Sequence, residues 1–247
     1  MIELRNFSAG YKGRRLLEDV NVTVSDGRLT ALLGRNGAGK STLLRAIAGL
    51  NPGYTGHIIV NGKDIRDMRP MDLARSLSFV TTERTHISNL TCRDVVAIGR
   101  APYTNWIGKM QEADREIVDR SFQLVGMSDY ASRTMDTMSD GECQRIMIAR
   151  ALAQSTPVIL LDEPTSFLDL PNRYELCTLL ARLAHDEGKC ILFSTHELDI
   201  ALNIADDIAL IDTPALRLLP SAEMASSDYL RRLFHIPFLD SYITLRR

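Results

Sequence analysis

The sequence predicts an α/β fold: a parallel sheet carrying helices, an antiparallel β layer beside it, and a helical subdomain inserted between two of its strands. Three observations predict this. Leu29–Leu33 is a short apolar run, followed by Gly34-Arg35-Asn36-Gly37-Ala38-Gly39-Lys40-Ser41-Thr42 and then by helix-like Leu43–Leu50, which is the order strand, glycine loop, helix. A second apolar run, Val158–Leu161, ends in the paired carboxylates Asp162-Glu163. Between them the segment from about Thr91 to Ala153 reads as mostly helical.

Taken in chain order, residues 1 to about 30 alternate in short strand-like segments with turns at Gly10 and Asp26-Gly27, as do Gly56–Gly62 further on, and these suit the antiparallel layer. The glycine loop matches the full pattern G-x-x-x-x-G-K-[ST]. Its glycines let the backbone turn with several N–H groups pointing inward, forming with the helix N-terminus a nest for a β-phosphate. Lys40 is expected to reach the β- and γ-phosphates and Ser41 to hold Mg²⁺. In the helical segment Thr91 and Asp94 make a cap, and Val118, Phe122 and Val125 recur at helical spacing, a stripe expected to be core rather than a ligand box. Ser139 is a good N-cap for the apolar-rich run Ile146–Leu152, and Glu142 three residues on completes a capping box; capping alone explains these two residues.

Val158–Leu161 suits a central strand buried on both faces, so Asp162 and Glu163 emerge at its C-terminal end, where open α/β sheets place their ligands. Asp162 is then expected to hold Mg²⁺ through water and Glu163 to orient or deprotonate an attacking water. A third apolar strand, Lys189–Leu192, leads into Phe193-Ser194-Thr195-His196.

Composition agrees with this architecture. The 247 residues are 45% apolar and can bury a substantial core, as one domain spanning 1–247. The net charge of −2 leaves no basic footprint for nucleic acid. No apolar run approaches the roughly eighteen residues needed to span a bilayer, and Met1-Ile2-Glu3-Leu4 does not begin a signal peptide. The expected place is therefore the cytoplasm. Cys92, Cys143, Cys177 and Cys190 lack C-x-x-C spacing and read as reduced thiols, not a disulfide or zinc framework. The five histidines form no ligand cluster.

Met138-Ser139-Asp140-Gly141-Glu142-Cys143-Gln144-Arg145, lying just upstream of the carboxylate strand, resembles the signature L-S-G-G-Q of the ATP-binding subunits of ABC transporters, and the resemblance extends over nearly the whole chain. It implies a P-loop NTPase core of the RecA-like kind, hydrolysing ATP with Mg²⁺. In that family the signature helix points at the γ-phosphate held by a second subunit, which implies that Ser139, Asp140, Gly141 and Glu142 meet the partner's ATP. The resemblance also implies that Tyr11 stacks on adenine, although a strand-edge aromatic is an equal reading of that residue alone. It places Ser166-Phe167-Leu168-Asp169 in the loop across the dimer interface, and His196 where the family senses the γ-phosphate.

Two departures from the family pattern stand out. Asp140 replaces the second signature glycine and Glu142 the glutamine; a carboxylate there repels a γ-phosphate unless it points away or meets a cation, which bears on the affinity of the closed dimer. In Leu77–Arg84 the family's Mg²⁺-contacting glutamine is replaced by Thr82 with Glu83 beside it. Either Thr82 through a water or Glu83 directly is expected to supply the oxygen, since Mg²⁺ accepts any well-placed hard oxygen.

Asn61–Ile65, Val95–Tyr103 and Leu168-Asp169-Leu170 look like the importers for iron-siderophores, haem and vitamin B12. That resemblance implies two copies of this chain beneath two multi-span permease subunits, fed by a separate substrate-binding protein, at the cytoplasmic face of the inner membrane. The chain ends soon after Tyr229–Phe234, without the long regulatory extension of some sugar and amino-acid importers. The alternatives are a soluble single-cassette assembly factor or an exporter ATPase. A twin-cassette translation factor needs two glycine loops and two signatures, and one of each is present.

Overall fold

Strands covered on both faces must be apolar throughout, and the chain supplies such runs at β3 (Arg28–Gly34), β7 (Val158–Leu161), β8 (Cys190–Ser194) and β9 (Asp207–Asp212). The computed structural model describes residues 1–11, 13–82, 89–104 and 108–234. A hairpin of β1 (Ile2–Tyr11) and β2 (Arg14–Val24) comes first, with Tyr11 opposite Arg14. After β3 come α1 (Lys40–Ile47), β4 (Tyr54–Val60), β5 (Lys63–Asp64) and α2 (Pro70–Ser76). The four early strands form an antiparallel sheet in the order β2-β1-β4-β5.

The second sheet adds β6 (Leu77–Val80) and, after β9, β10 (Ala215–Pro220), in the order β10-β9-β3-β8-β7-β6. Its strands run parallel except β10 against β9. Successive side chains of each strand enter different cores. Ala31, Ile159, Ile191 and Ile208 face the helical side, while Leu32, Leu160, Leu192 and Ala209 face α1 and the antiparallel sheet.

One expectation is corrected. Gly10, read as a turn, lies inside β1 opposite Arg15, at a register shift. A Cβ there would sit 2.6 Å from the Arg14 carbonyl oxygen, so the glycine permits a close strand approach. The turn at Asp26-Gly27 is present, with Gly27 at φ 69.

Between β6 and β7 lie α3 (Cys92–Ile98), α4 (Glu112–Leu124) and α5 (Asp140–Ala153). Thr91 caps α3 in a capping box with Asp94. Val118, Phe122 and Val125 are buried in the same core as Val95, Val96 and Ile146. Arg100, itself buried after α3, ties the helices of the subdomain together: Nε donates to Asp114 Oδ1 of α4 at 2.9 Å and Nη1 to the Ala153 carbonyl of α5 at 2.8 Å. Phe122→Ala is expected to destabilise the chain by about 3–5 kcal/mol in denaturant unfolding, because it empties a site among helices that cannot collapse around it. The remaining helices, α6 (Leu170–Glu187), α7 (Leu198–Ile204), α8 (Ser221–Ser226) and α9 (Asp228–Phe234), supply residues to the helical side, among them Leu180, Ile200, Met224 and Leu230.

Candidate functional site

The C-terminal ends of β3, β7 and β8 carry the sequence-predicted site. Leaving β3, the chain turns through Gly37 at φ 76 and Gly39 at φ 107 before α1 begins at Lys40; a residue with a Cβ is disfavoured at both. Gly39 also lies against Leu16, whose Cβ would be 3.2 Å from an added methyl. The Lys40 side chain is buried and folds back, Nζ donating to the Gly34 carbonyl at 3.0 Å. Burial pushes its ammonium below the usual lysine range, while the charges of Glu163 and Asp162 oppose that shift.

Tyr11, Asn36, Gly37, Gly39, Lys40, Ser41, Thr42 and Glu163 line one open cleft. Arg14 and Leu16 line it too; a reading by motif misses them because they belong to the neighbouring strand. Arg35 and Ala38 face the adjoining depression beside Asp212 and Thr213. Tyr11 is largely exposed at the cleft's mouth.

Asp162 is buried, its N–H donating to the Val80 carbonyl at 2.8 Å. Ser194 Oγ donates to Asp162 Oδ1 at 2.6 Å and accepts the Glu163 N–H at 2.9 Å. Glu163 has φ 47, a left-handed conformation that costs a side-chain-bearing residue about 1–2 kcal/mol. Its Oε2 accepts from Ser166 Oγ at 3.1 Å and lies 3.7 Å from His196 Nδ1. Thr82 Oγ1 donates to the Asp162 carbonyl at 2.8 Å, which leaves its lone pairs available; Glu83 lies outside the described residues.

The signature residues do not line this cleft. Ser139 caps α5 in a capping box: its N–H donates to Glu142 Oε2 at 2.8 Å, and its Oγ accepts the Glu142 N–H at 3.4 Å. That backbone bond, followed by the Ser139 hydroxyl, holds the Glu142 carboxyl below its usual range. Asp140 lies exposed in the first turn. Gly141 packs against the loop after the carboxylates, where a Cβ would come within 3.1 Å of Leu168 Cδ2. Ser139→Ala is expected to cost about 1 kcal/mol of unfolding free energy through the lost cap alone.

Asp169 caps α6, accepting the Asn172 N–H at 3.2 Å, and Arg145 of the signature helix donates to Asn172 Oδ1 at 2.6 Å. Arg173 Nε donates to the Leu168 carbonyl at 2.6 Å and its Nη1 pairs with Glu197. Glu197 in turn accepts from Thr165 Oγ1 at 3.2 Å. These bonds fasten the loop of Asp169 to the loop of His196; Ser194, Arg173 and Glu197 went unassigned in the sequence because no motif marks them.

Ser41, Asp162 and Thr82 offer hard oxygen ligands suited to Mg²⁺. Among the described residues no group of three or more His, Cys, Asp or Glu could hold a metal by itself.

Residues 17–166 match the family model described as ABC transporter. An uncharacterized ABC transporter ATP-binding protein of Methanocaldococcus jannaschii is 44% identical over 85% of this chain and 73% of its own. The iron(3+)-hydroxamate import ATP-binding protein FhuC of Bacillus subtilis is 35% identical over 92% of this chain and 85% of its own. The cobalamin import ATP-binding protein BtuD of Halobacterium salinarum is 37% identical over 85% of this chain and 52% of its own. Among solved structures, a metal-chelate type ABC transporter in an inward-facing conformation superposes with a TM-score of 0.84 at 29% identity, over 96% of this chain and 89% of that one. A dimeric ATP-binding cassette in a post-hydrolysis state, bound to ADP and Pi, gives 0.79 at 25% identity, over 90% of this chain and 99% of that one. With its glycine loop, carboxylate strand and signature helix in place, this chain belongs to the ABC transporter family as an ATP-binding, ATP-hydrolysing cassette.

Proposed function

We propose that this chain powers an ABC importer for an iron-siderophore, haem or cobalamin, through ATP-driven closure of a pair of its copies. The observation that carries the reading is the division of the site. Lys40, Ser41 and Glu163 share a cleft whose lining does not include Ser139 and Gly141, which supports a site completed by the signature helix of a second copy. Relatives named for iron(3+)-hydroxamate and cobalamin import support the cargo class.

In the closed pair the loop N–H groups and Lys40 hold the phosphates, and Tyr11 faces the adenine. Glu163 takes a proton from the attacking water as its oxygen bonds the γ-phosphorus and the bridging oxygen leaves with ADP. Ser41 and Asp162 would hold Mg²⁺, which when bound would supply charge neutralisation on the phosphate oxygens. His196, beside Glu163, senses the γ-phosphate. Replacing Thr82 and Glu83 together by alanine is expected to weaken Mg²⁺-dependent hydrolysis and transport coupling; unchanged values for both would remove these residues from the metal's shell.

Among the described residues no helix is long and apolar enough to cross a membrane. Relatives named for import support peripheral attachment through two multi-span permease subunits at the cytoplasmic face of the inner membrane, with a substrate-binding protein delivering cargo. A groove lined by Leu50, Met68, Leu73 and Phe79, with Leu50 and Met71 exposed, offers an apolar seat for a permease segment. The test is to tag the chain, solubilise native membranes gently and identify what co-purifies. A multi-span permease is the expected result, and its type narrows the cargo. Recovery of soluble proteins alone, with the chain absent from membranes, would favour an assembly factor instead.

A further inference from the structure

The backbone at Glu163 needs an anchor. Parallel pairing of β7 with β8 ends at Leu161 opposite Phe193, Asp162 still bonds Val80, and the chain then leaves the sheet at Glu163 in a left-handed conformation with φ 47. Its N–H finds its acceptor in the hydroxyl of Ser194, at the end of β8. That hydroxyl is fully buried and spends its own proton on Asp162 Oδ1. A serine has one O–H donor and two lone pairs, so a single Oγ fixes both adjoining carboxylate residues, one through its backbone and one through its side chain.

We propose that Ser194 is a positioning residue for hydrolysis: its hydroxyl clamps the left-handed turn at Glu163 and orients the Asp162 carboxylate. The inference rests on the reading of Glu163 as the carboxylate that activates water. Ser194 does not line the nucleotide cleft, and it acts only through the two residues it bonds. Removing the hydroxyl deprives the half-buried Glu163 N–H of its acceptor and lets the turn relax, which displaces Glu163 from the water without disturbing the glycine loop.

The test uses the full chain and compares Ser194→Ala, Ser194→Cys, Ser194→Thr, Glu163→Gln and the double variant Ser194→Ala/Glu163→Gln. ATP turnover is measured beside the binding of a fluorescent non-hydrolysable ATP analogue. Ser194→Ala is expected to lower kcat by about 10–100-fold, the scale of a displacement near 1 Å, with KM and analogue affinity within about threefold of the parent. Ser194→Cys fills the same space with a weak donor, so it shows the same loss and serves where alanine does not fold. Ser194→Thr keeps the hydroxyl and recovers most of the rate. The double variant loses far less than the product of the two single losses, because Ser194 acts chiefly through Glu163 and only its contact with Asp162 adds to the Glu163→Gln effect.

A parent-like kcat in Ser194→Ala, an equal loss of analogue affinity, or a double variant as slow as the product of the two single losses would overturn the role. A stalled Glu163→Gln beside a parent-rate Ser194→Ala overturns the Ser194 inference alone. A Glu163→Gln variant that turns over at the parent rate overturns the assignment of Glu163 and this inference with it.

Discussion

Glu163→Gln is expected to bind ATP about as tightly as the parent chain and to hydrolyse it on the order of 10²-fold or more slowly. The amide keeps the size and much of the hydrogen-bonding capacity of the carboxylate, so the Ser166 contact to its Oε2 and the backbone bond to Ser194 survive. It lacks the basicity to accept a proton from water. ATP therefore accumulates unhydrolysed, and the variant is expected to form a long-lived dimer with ATP that the parent forms only transiently. Turnover assays and size-exclusion chromatography with ATP read the two effects separately. Parent-level turnover would show that another group activates the water.

Lys40→Ala should fail one step earlier, at nucleotide binding. Its ammonium is buried at the start of α1, held against the Gly34 carbonyl and near two carboxylates. A lysine partly desolvated at the edge of an open cleft is suited to meet phosphate oxygens, and a hydrogen bond to a charged group is worth about 1.5–3 kcal/mol. Losing contacts to two phosphates predicts an affinity lower by about 10²-fold or more on the same scale. Titration with a fluorescent ATP analogue measures it, and a melting temperature close to the parent's confirms that the loss is local. Undiminished affinity would mean that the loop backbone alone holds the nucleotide.

The two variants separate because their residues reach the cleft from different strands. Lys40 follows β3 and Glu163 follows β7, and both assignments came from local patterns of apolar run and polar terminus. The capping boxes at Thr91 and Ser139 were equally legible, since a cap is built within four residues. Gly10 was misread for the complementary reason. A glycine in a strand-like segment reads as a turn, yet here it answers a close approach by Arg14 of the paired strand, which no local pattern encodes.

The clamp on Glu163 belongs to the same class of hidden feature. Ser194 is separated from Glu163 by 31 positions and meets it because β8 pairs with β7. Arg173 and Glu197 join the loop of Asp169 to the loop of His196 in the same way, across α6 and the end of β8. Local pattern was enough to nominate the chemistry: a loop suited to cradle phosphate, a strand ending in paired carboxylates, and a capped helix resembling the family signature. Those follow from residue types at fixed short spacing, where backbone geometry leaves few alternatives. Which neighbouring strand orients the carboxylates, and that Ser139 and Gly141 lie outside the lining of their own chain's cleft, came from tertiary packing. Both depend on contacts between residues far apart in the chain, whose partners are chosen by sheet order and by packing rather than by local propensity.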